Sequence, residues 1–485
     1  MTTHSVRSLA LSDLLVIEDD SALLEFCCSA TGLPLWPQIR VMVFRMMMSD
    51  LLYGVRLTGT SNAPKSMTRS ASTMLRSLLN NSRQLASKGG RANICITAEG
   101  VADQMVGGRW FNRLTDHFVA ARPADTLVLA DHFEWRWPFP RHHGRMIMHA
   151  PWQAMNAVRG KMGVQAVHYK QAKDLVQLIS DRAQIHMGWE LDAERRKALT
   201  STLARKAASM PWQYGAYTRL LERVRPKLLM VGAGCYGPAA SLIAAAKSLD
   251  ICTAEYQHGA VSSGHDAYNF APAIQNSAIY KRTLPDHFLG YGKWWNDQIN
   301  APVQKWAVGN PHRSARIDGL GVQKEAQTDL LILSDGIEFN LYLDLARSLR
   351  SHAEAMNLKV VLRPHPLERT RALQMSKTES AGFQIDTNAD IYQSLKTAHT
   401  VVSEVSTGLF EAVGIVERIL IWDTPKSRFG YPSHPFETFD SVDALLQKLT
   451  YLDVGIREER FDVEHIWVGN WKKNFDNFLI SQGLS

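Results

Sequence analysis

The chain of 485 residues is poor in cysteine and has neither a long apolar run nor a glycine-rich nucleotide loop. Its five cysteines, Cys27, Cys28, Cys95, Cys235 and Cys252, are odd in number, and none shows the paired spacing of a zinc site or a disulfide framework. A reducing, cytoplasmic setting is the natural reading, and no metal site is expected. The apolar stretch nearest to bilayer length, IRVMVFRMMMSDLLYGVRL (39–57), is interrupted by Arg40, Arg45 and Asp50, too often for a span. It is expected as a buried helix of the first domain, with an interfacial helix as the alternative. The opening MTTHSVRSLALSD lacks a sustained apolar core after a basic start, so no signal peptide is expected. No Gly-rich fingerprint follows the first strand and no P-loop occurs, which removes NAD and ATP sites and leaves no cofactor to expect. Net charge is only +7. With no dense Lys/Arg block or basic, aromatic-interleaved stripe, that excess suits an anionic ligand or an anionic membrane face and does not argue for nucleic acid.

What is present is a globular composition, 45% hydrophobic and 21% charged, on a chain long enough for two domains. No internal repeat or low-complexity tract interrupts it. Short apolar runs read as buried parallel strands at LLVIE (14–18), NICITAE (93–99), TLVLA (126–130), KLLMVGA (227–233) and CTAEYQ (252–257). Longer helical stretches separate them, such as the one around 193–209. A second series follows residue 300, with strands at 329–334, 359–363, 400–404 and 418–423 and helices at about 338–356 and from 408. Strands alternating with helices imply an α/β protein of two Rossmann-like, doubly wound domains facing a cleft. NAPVQKWAVGNPHRSAR (300–316) reads as the linker. The expected division is a first, acceptor-binding domain over 1–300, a donor-binding domain over 301–455, and an aromatic-rich C-terminal helix over 456–485 that packs back on the first domain.

Four segments carry candidate chemistry. In VVLRPHPLE (360–368) a buried strand ends in Arg363-Pro364-His365-Pro366, and the two prolines stiffen its exit. A rigid loop presenting a guanidinium and an imidazole suits a phosphate; an ordinary strand-to-helix turn is the plain alternative. In TVVSEVSTGLFEAV (400–413) a strand stops at Ser403-Glu404, and Ser406-Thr407-Gly408 opens a helix. That is either simply a good N-cap or an anion site of free N–H groups and two hydroxyls, with Glu411 one turn along for ribose hydroxyls. Ser334 and Gly336 in SDGIE (334–338) end the first strand of this domain and line the same cleft. In AEYQHGAVSSGHDAY (254–268) a strand delivers Gln257-His258-Gly259, with His265 and Asp266 on the following loop. A histidine there acts as general base or merely bonds across the interdomain seam.

These residues together resemble bacterial GT-B enzymes of capsule, O-antigen and teichoic-acid assembly. The group includes CMP-Kdo-using capsule transferases, GT-B sialyltransferases and polysialyltransferases, and CDP-glycerol glycerophosphotransferases. In several of them a His-Pro dipeptide and a Ser-Ser or Ser-Thr pair bind the donor's phosphates, and His365-Pro366 and Ser406-Thr407 match those. Gln257-His258-Gly259 is similar to the His-Gly motif of the glycerophosphotransferases, where the histidine acts as base. WPQIRVMVFRMMM (36–48) resembles an N-terminal segment seen in uncharacterised surface-polysaccharide transferases. The resemblance covers the C-terminal domain well and the N-terminal one in patches. It departs where Gln257 replaces the usual Trp, where no lysine follows His-Gly, and where a sialyltransferase's first-domain acid motif is not found.

The resemblance implies a metal-independent glycosyltransferase of capsule or lipopolysaccharide assembly. It would move a sugar from an activated phosphate donor, a nucleotide sugar, to a glycan or lipid-linked glycan at the cytoplasmic face of the inner membrane. Transfer of a phosphorylated unit (glycerol phosphate, or phosphoribosyl from a pyrophosphate donor) and sugar-nucleotide epimerisation are the alternatives. DHFEWRWPFPRHHGRMIMH (131–149) gathers charged and histidine residues that suit an acceptor rim or a plain surface loop. Its Asp131 and Glu134 follow a strand end and, with Asp266, are the alternative bases to His258. Glu18-Asp19-Asp20 is expected to cap a helix.

Overall fold

The computed structural model describes residues 8–55, 66–86, 90–321, 326–375, 380, 382–450 and 462–484. Two parallel sheets organise them. The strands up to the crossover are β1 (Ile94–Ala98), β2 (Asp103–Val106), β3 (Arg109–Asn112), β4 (Thr126–Ala130), β5 (Met146–Met148), β6 (Leu228–Val231), β7 (Cys252–Tyr256), β8 (His287–Gly290) and β9 (Gln304–Ala307). The hairpin β2–β3 stands apart, and the other seven form one sheet in the order β5-β4-β1-β6-β7-β8-β9, parallel throughout. The second sheet comprises β10 (Thr328–Leu333), β11 (Val360–Arg363), β12 (Gln384–Ile385), β13 (Ala398–Ser403), β14 (Arg418–Trp422) and β15 (Glu437–Phe439). Its order is β12-β11-β10-β13-β14-β15, again parallel. In both sheets the order reverses beside the first strand, which is the doubly wound Rossmann pattern. The fold is therefore α/β with two Rossmann-like units.

The central strands are apolar along their whole length because helices cover both faces. β1, β4 and β6 bury Ile94, Ile96, Val128, Leu228 and Met230 on one side and Cys95, Leu127, Leu129, Leu229 and Val231 on the other. A separate cluster reaches from the N-terminal segment through Phe288 and Trp295 to Leu331, Val401 and Phe410 of the second unit. Trp295 and Phe410 have ring centroids 4.6 Å apart, and the Trp467 indole donates to the Phe410 carbonyl at 2.9 Å. One continuous apolar cluster thus joins the two sheets. The helix Trp471–Ser481 turns back and buries Phe475, Phe478 and Leu479 against the first sheet.

The structure corrects three expectations. LLVIE (14–18) is not a strand. It lies in the helix Leu11–Leu15 and a 3-10 turn Val16–Glu18, and the buried Leu11, Leu14 and Ile17 show the three-residue spacing of a helix face. The stretch 300–316 is not a bare linker: β9 pairs with β8, and the helix Pro311–Asp318 follows before the chain enters β10. The helix expected over 338–356 is two, Phe339–Ser348 and Arg350–Met356, separated at Leu349.

The segment 39–57 forms the buried helix Arg40–Met48, with Val43, Phe44 and Met47 in the core; residues 56 and 57 lie outside the described residues. Arg40 is buried because Glu18 meets it with two hydrogen bonds, at 2.6 and 2.7 Å. Arg40 also donates to the backbone carbonyls of Asp266 and Asn269, so this helix positions the loop after β7. Asp20 caps the next short turn through the Ala22 N–H, whereas Glu18 is spent on the ion pair.

Candidate active site

In a doubly wound sheet the crevice lies outside the carboxyl ends of the strands where the order reverses. In the first sheet that point falls between β1 and β6, and a cavity of about 520 Å³ occupies it. Its wall includes Glu99 after β1, Asp131 after β4, Gly232 after β6, and His149, Tyr217 and Tyr236. Asp131 accepts from His149 Nδ1 and Gln153 Nε2, both at 2.9 Å, and His149 Nε2 lies 2.6 Å from the Tyr217 hydroxyl. Burial and then the charge of Asp131 push the Glu99 carboxyl above its ordinary range. Glu134 stands apart from the cavity wall and pairs with Arg136 at 2.7 Å.

β7 carries the second group. Gln257 is buried and holds the loop: its N–H donates to Leu289 O, its Nε2 to Gly259 O, and its Oε1 accepts from Tyr291 N. That leaves the half-buried His258 as the next side chain, its Nδ1 3.4 Å from the Tyr268 hydroxyl. Tyr268 donates in turn to Glu255 Oε1 at 2.6 Å, while Cys235 N donates to Oε2 at 2.9 Å. With Tyr268 donating to Glu255, its oxygen accepts from His258 Nδ1–H, and Nε2 keeps the lone pair. Burial, helped by His265, Arg113 and Arg45, holds His258 at about 4, so it is neutral at pH 7. Burial pushes Glu255 up to about 7 against the pull of its hydrogen bonds.

The loop with His265 and Asp266 is tied down. His265 Nε2 lies 3.1 Å from the Tyr236 hydroxyl, Asp266 is buried beside Arg45 at 3.4 Å, and Ser262 donates to Gly430 O of the second unit at 2.5 Å. Gly264 is required there, since a Cβ would overlap the Phe429 carbonyl. Asp266 therefore already has a cationic partner.

The second sheet reverses between β10 and β13, and the residues expected from the sequence to bind a phosphate donor end or follow β10, β11 and β13. After β10, Asp335 accepts from Ile337 N and from the Tyr342 hydroxyl, at 2.8 and 2.9 Å. Gly336 has φ +85°, and a Cβ would strike the His365 imidazole, so a glycine lets that ring lie against the loop. His365 N donates to Glu368, which also accepts from Ser334 Oγ. Burial lowers the His365 imidazole below its usual value, partly countered by Asp335. Pro366 is exposed. Arg363 turns to the sheet edge, bonding Asp386, Ser394 Oγ at 3.0 Å and Asn388 O at 3.1 Å.

After β13, Ser403 Oγ donates to Leu333 O at 2.7 Å and accepts from Ser406 N at 3.3 Å. Ser406 Oγ accepts from Gly408 N at 3.2 Å, and Thr407 is exposed. The helix they open is a single turn, Gly408–Glu411, so its dipole is small. Glu411 is held by Tyr392 and lies 3.7 Å from Arg313 Nε. Glu404 is buried; Thr424 donates to Oε1 at 2.5 Å, and Oε2 has no hydrogen-bond partner among the described residues. Burial pushes its carboxyl up to about 7.

Two groups were not singled out from the sequence. Arg113, exposed in the turn after β3, forms no ion pair among the described residues, and its charge acts on Glu99 and His258 of the first unit and on Glu411 of the second. Tyr53, from the N-terminal segment, feels Glu404 and Asp335 as well as Asp266. Both stand where the two units meet; Tyr53 follows no strand, and Arg113 follows only a short hairpin strand outside the parallel sheet, so neither carries the positional signal of a buried strand's exit.

No protein-family model matches the chain, and no curated protein matches it in sequence. Among solved structures, it is similar to the UDP-GlcNAc 2-epimerase of Methanocaldococcus jannaschii, at 9% identity and TM-score 0.42 over 80% of this chain and 99% of that one. It is also similar to an α,α-trehalose-phosphate synthase (UDP-forming) from Burkholderia xenovorans, at 10% identity and TM-score 0.39 over 81% and 100%. A third is a glycotransferase of kitacinnamycin, at 11% identity and TM-score 0.42 over 81% and 100%. Identities this low carry no residue correspondence, so the chemistry rests on this chain's own groups.

Proposed function

We propose that the protein is a glycosyltransferase moving a sugar from a nucleotide-sugar donor to a glycan or lipid-linked glycan acceptor, without a metal ion. The observation that carries this reading is the pairing of two unlike crevices. The strand exits around the second sheet's switch point carry His365, Ser406, Thr407 and the spare acceptor Glu404 Oε2, residue types that suit a phosphate and its hydroxyl-bearing nucleoside. The first sheet's offers a cavity of about 520 Å³ whose largely apolar wall carries the carboxylates Glu99 and Asp131, and beside Tyr236 of that wall a neutral histidine, His258, whose lone pair is fixed by Tyr268 and Glu255. In the reaction the acceptor oxygen bonds the anomeric carbon while the bond from that carbon to the donor phosphate breaks. The acceptor proton passes to His258 Nε2, and the charge left on the phosphate is met by Arg113 and His365. Calorimetric titration with CMP, CDP and UDP tests the donor half: one nucleotide is expected to bind, and binding of none would overturn the reading.

One observation favours a second reading, sugar-nucleotide epimerisation. Glu99 and Asp131 both line the first-sheet cavity, and Glu99 has a raised carboxyl pKa, as an acid–base pair around a sugar requires. Incubating the nucleotide sugar in heavy water without acceptor separates the two, because only an epimerase incorporates deuterium at a sugar carbon.

A further inference from the structure

The helix Met67–Ala86 is built inside out. Its inward face is polar: Thr73, Ser77 and Asn81 are buried. Thr73 donates to Trp135 O and Ser77 bonds His132 Nε2 in the loop after β4, while the asparagines and Gln84 cover the edge strand β5 and Gly144 ahead of it with side-chain hydrogen bonds. Asn81 Nδ2 donates to Met148 O at 2.8 Å and Asn81 Oδ1 accepts from Met148 N at 2.7 Å, while Asn80 donates to Met146 O and Gln84 to Gly144 O. A sheet edge left open is a liability, and amides of a helix close this one. The consequence is that the apolar side faces out. Leu75 is 59% exposed, Leu78 51%, Leu79 50% and Met67 88%.

The neighbouring helix Ala150–Met162 packs against it and continues the surface with Met155, Val158 and Met162, the last 81% exposed. Their i, i+3, i+7 spacing puts all three on one face. Neither helix contains an aspartate or glutamate, yet they carry Arg69, Arg76, Arg83, Arg159 and Lys161, all exposed. None of these five forms an ion pair among the described residues. Arg69, Arg76 and Arg83 recur every seven residues, a column along one border of the apolar stripe. A helix with an exposed leucine face, basic flanks and no acid suits the boundary of an anionic bilayer, where leucines enter the acyl region and arginines meet phosphates. An isolated apolar side chain on a surface needs no explanation, but a contiguous patch over two helices does.

We infer that the paired helices Met67–Ala86 and Ala150–Met162 dock the protein on the surface of an anionic lipid bilayer. Among the described residues no helix is long and apolar enough to cross one, so the contact is peripheral. It lies on the β5 edge of the first sheet and not on the helix Arg40–Met48, whose Val43, Phe44, Met47 and Met48 are in the core. The surface requires neither the donor site nor the base, so it stands or falls apart from the proposed transfer.

Vesicle flotation tests this with the full chain. The protein is expected to float with vesicles of phosphatidylcholine plus phosphatidylglycerol, to stay behind with phosphatidylcholine alone, and to bind less as salt rises. Each basic residue near an anionic surface strengthens partition roughly fivefold, so Arg69→Gln/Arg76→Gln/Arg83→Gln should weaken it about 10²-fold. Leu75→Ser/Leu78→Ser/Leu79→Ser, at exposed positions, should weaken it more than tenfold at low salt with an unchanged melting temperature. Lys472→Glu/Lys473→Glu, on a helix outside this surface, should float like the parent. Failure of the parent to float with anionic vesicles, or flotation of both triple variants at parent level, overturns the inference. So does sedimentation showing a parent dimer that the leucine variant dissociates, because a second copy would then cover the face.

Discussion

The Tyr268 hydroxyl donates to Glu255 Oε1 at 2.6 Å, a contact that sets which ring nitrogen of His258 is free, since Tyr268 also stands 3.4 Å from His258 Nδ1. The two partners come from one strand–loop segment, yet only the folded loop, held by Arg40 and Ser262, brings the phenol over the carboxylate.

If His258 is the base, His258→Ala lowers kcat by roughly 10²- to 10⁴-fold and leaves nucleotide affinity unchanged. The free base is the active form, and its pKa lies at about 4, well below the ordinary histidine value. The rate is therefore expected to stay level from pH 7 to about 5 and to fall only as pH drops through about 4. A rate that already halves near pH 6.5, as for an unshifted histidine, would place the base elsewhere. A kcat profile measured at saturating donor decides it.

Tyr268→Phe removes the link without touching the ring. It leaves a buried carboxylate oxygen without its donor, which costs about 1–3 kcal/mol of stability, read from denaturant unfolding. The activity readout separates a positioning role from a merely structural one: kcat should fall while KM for the donor holds. Equal loss in both would mean that the tyrosine only supports the fold.

Arg113 is exposed and unpaired, so Arg113→Ala should leave the melting temperature in place. Its loss should weaken nucleotide-sugar binding, and the acid limb of the His258 profile should move to higher pH, because Arg113 is among the charges that lower it. An unmoved limb with full affinity would remove Arg113 from the site.

On the donor side, His365→Ala is expected to cost roughly 10²-fold in rate with the fold intact. Gly336→Ala should do much the same by another route, since the new Cβ displaces the His365 ring. Ser406→Ala/Thr407→Ala should weaken nucleotide binding by more than the ~1 kcal/mol of stability that a lost cap costs. Titration calorimetry paired with thermal melts distinguishes these outcomes.

Acid should destabilise the fold well above the ordinary carboxylate range. His117, His258 and His265 are held at about 4 and His312 at about 3, all mainly by burial. Below the unfolded value near 6.5 the unfolded chain takes up protons that these rings refuse, so stability is full above it and is lost towards pH 4. Glu255 and Glu404, raised to about 7, act in the opposite direction and offset part of the loss. Glu255→Gln removes one offset, and its melting temperature should fall more steeply between pH 6.5 and 4.5 than the parent's.

The central strands are legible in the residues alone. Within Thr126–Ala130 and Arg418–Trp422 the residues 127–130 and 419–422 are unbroken apolar runs because strands covered on both faces have no polar side to show. The residues at their exits, Asp131, His258, Ser403 and Ser406, were legible for the same reason, since a strand end leads to a sheet edge. Short edge strands such as β5 and β12 gave no run long enough to read. Everything that depends on distant segments meeting came from the fold. It paired Arg363 with Asp386, set Arg113 within reach of both units, gave the buried Arg40 its partner Glu18, and turned the leucines of Met67–Ala86 outward. A hydrophobic period tells that a helix is amphipathic, but not which face the fold will bury. Here the open backbone of β5 claimed the polar face.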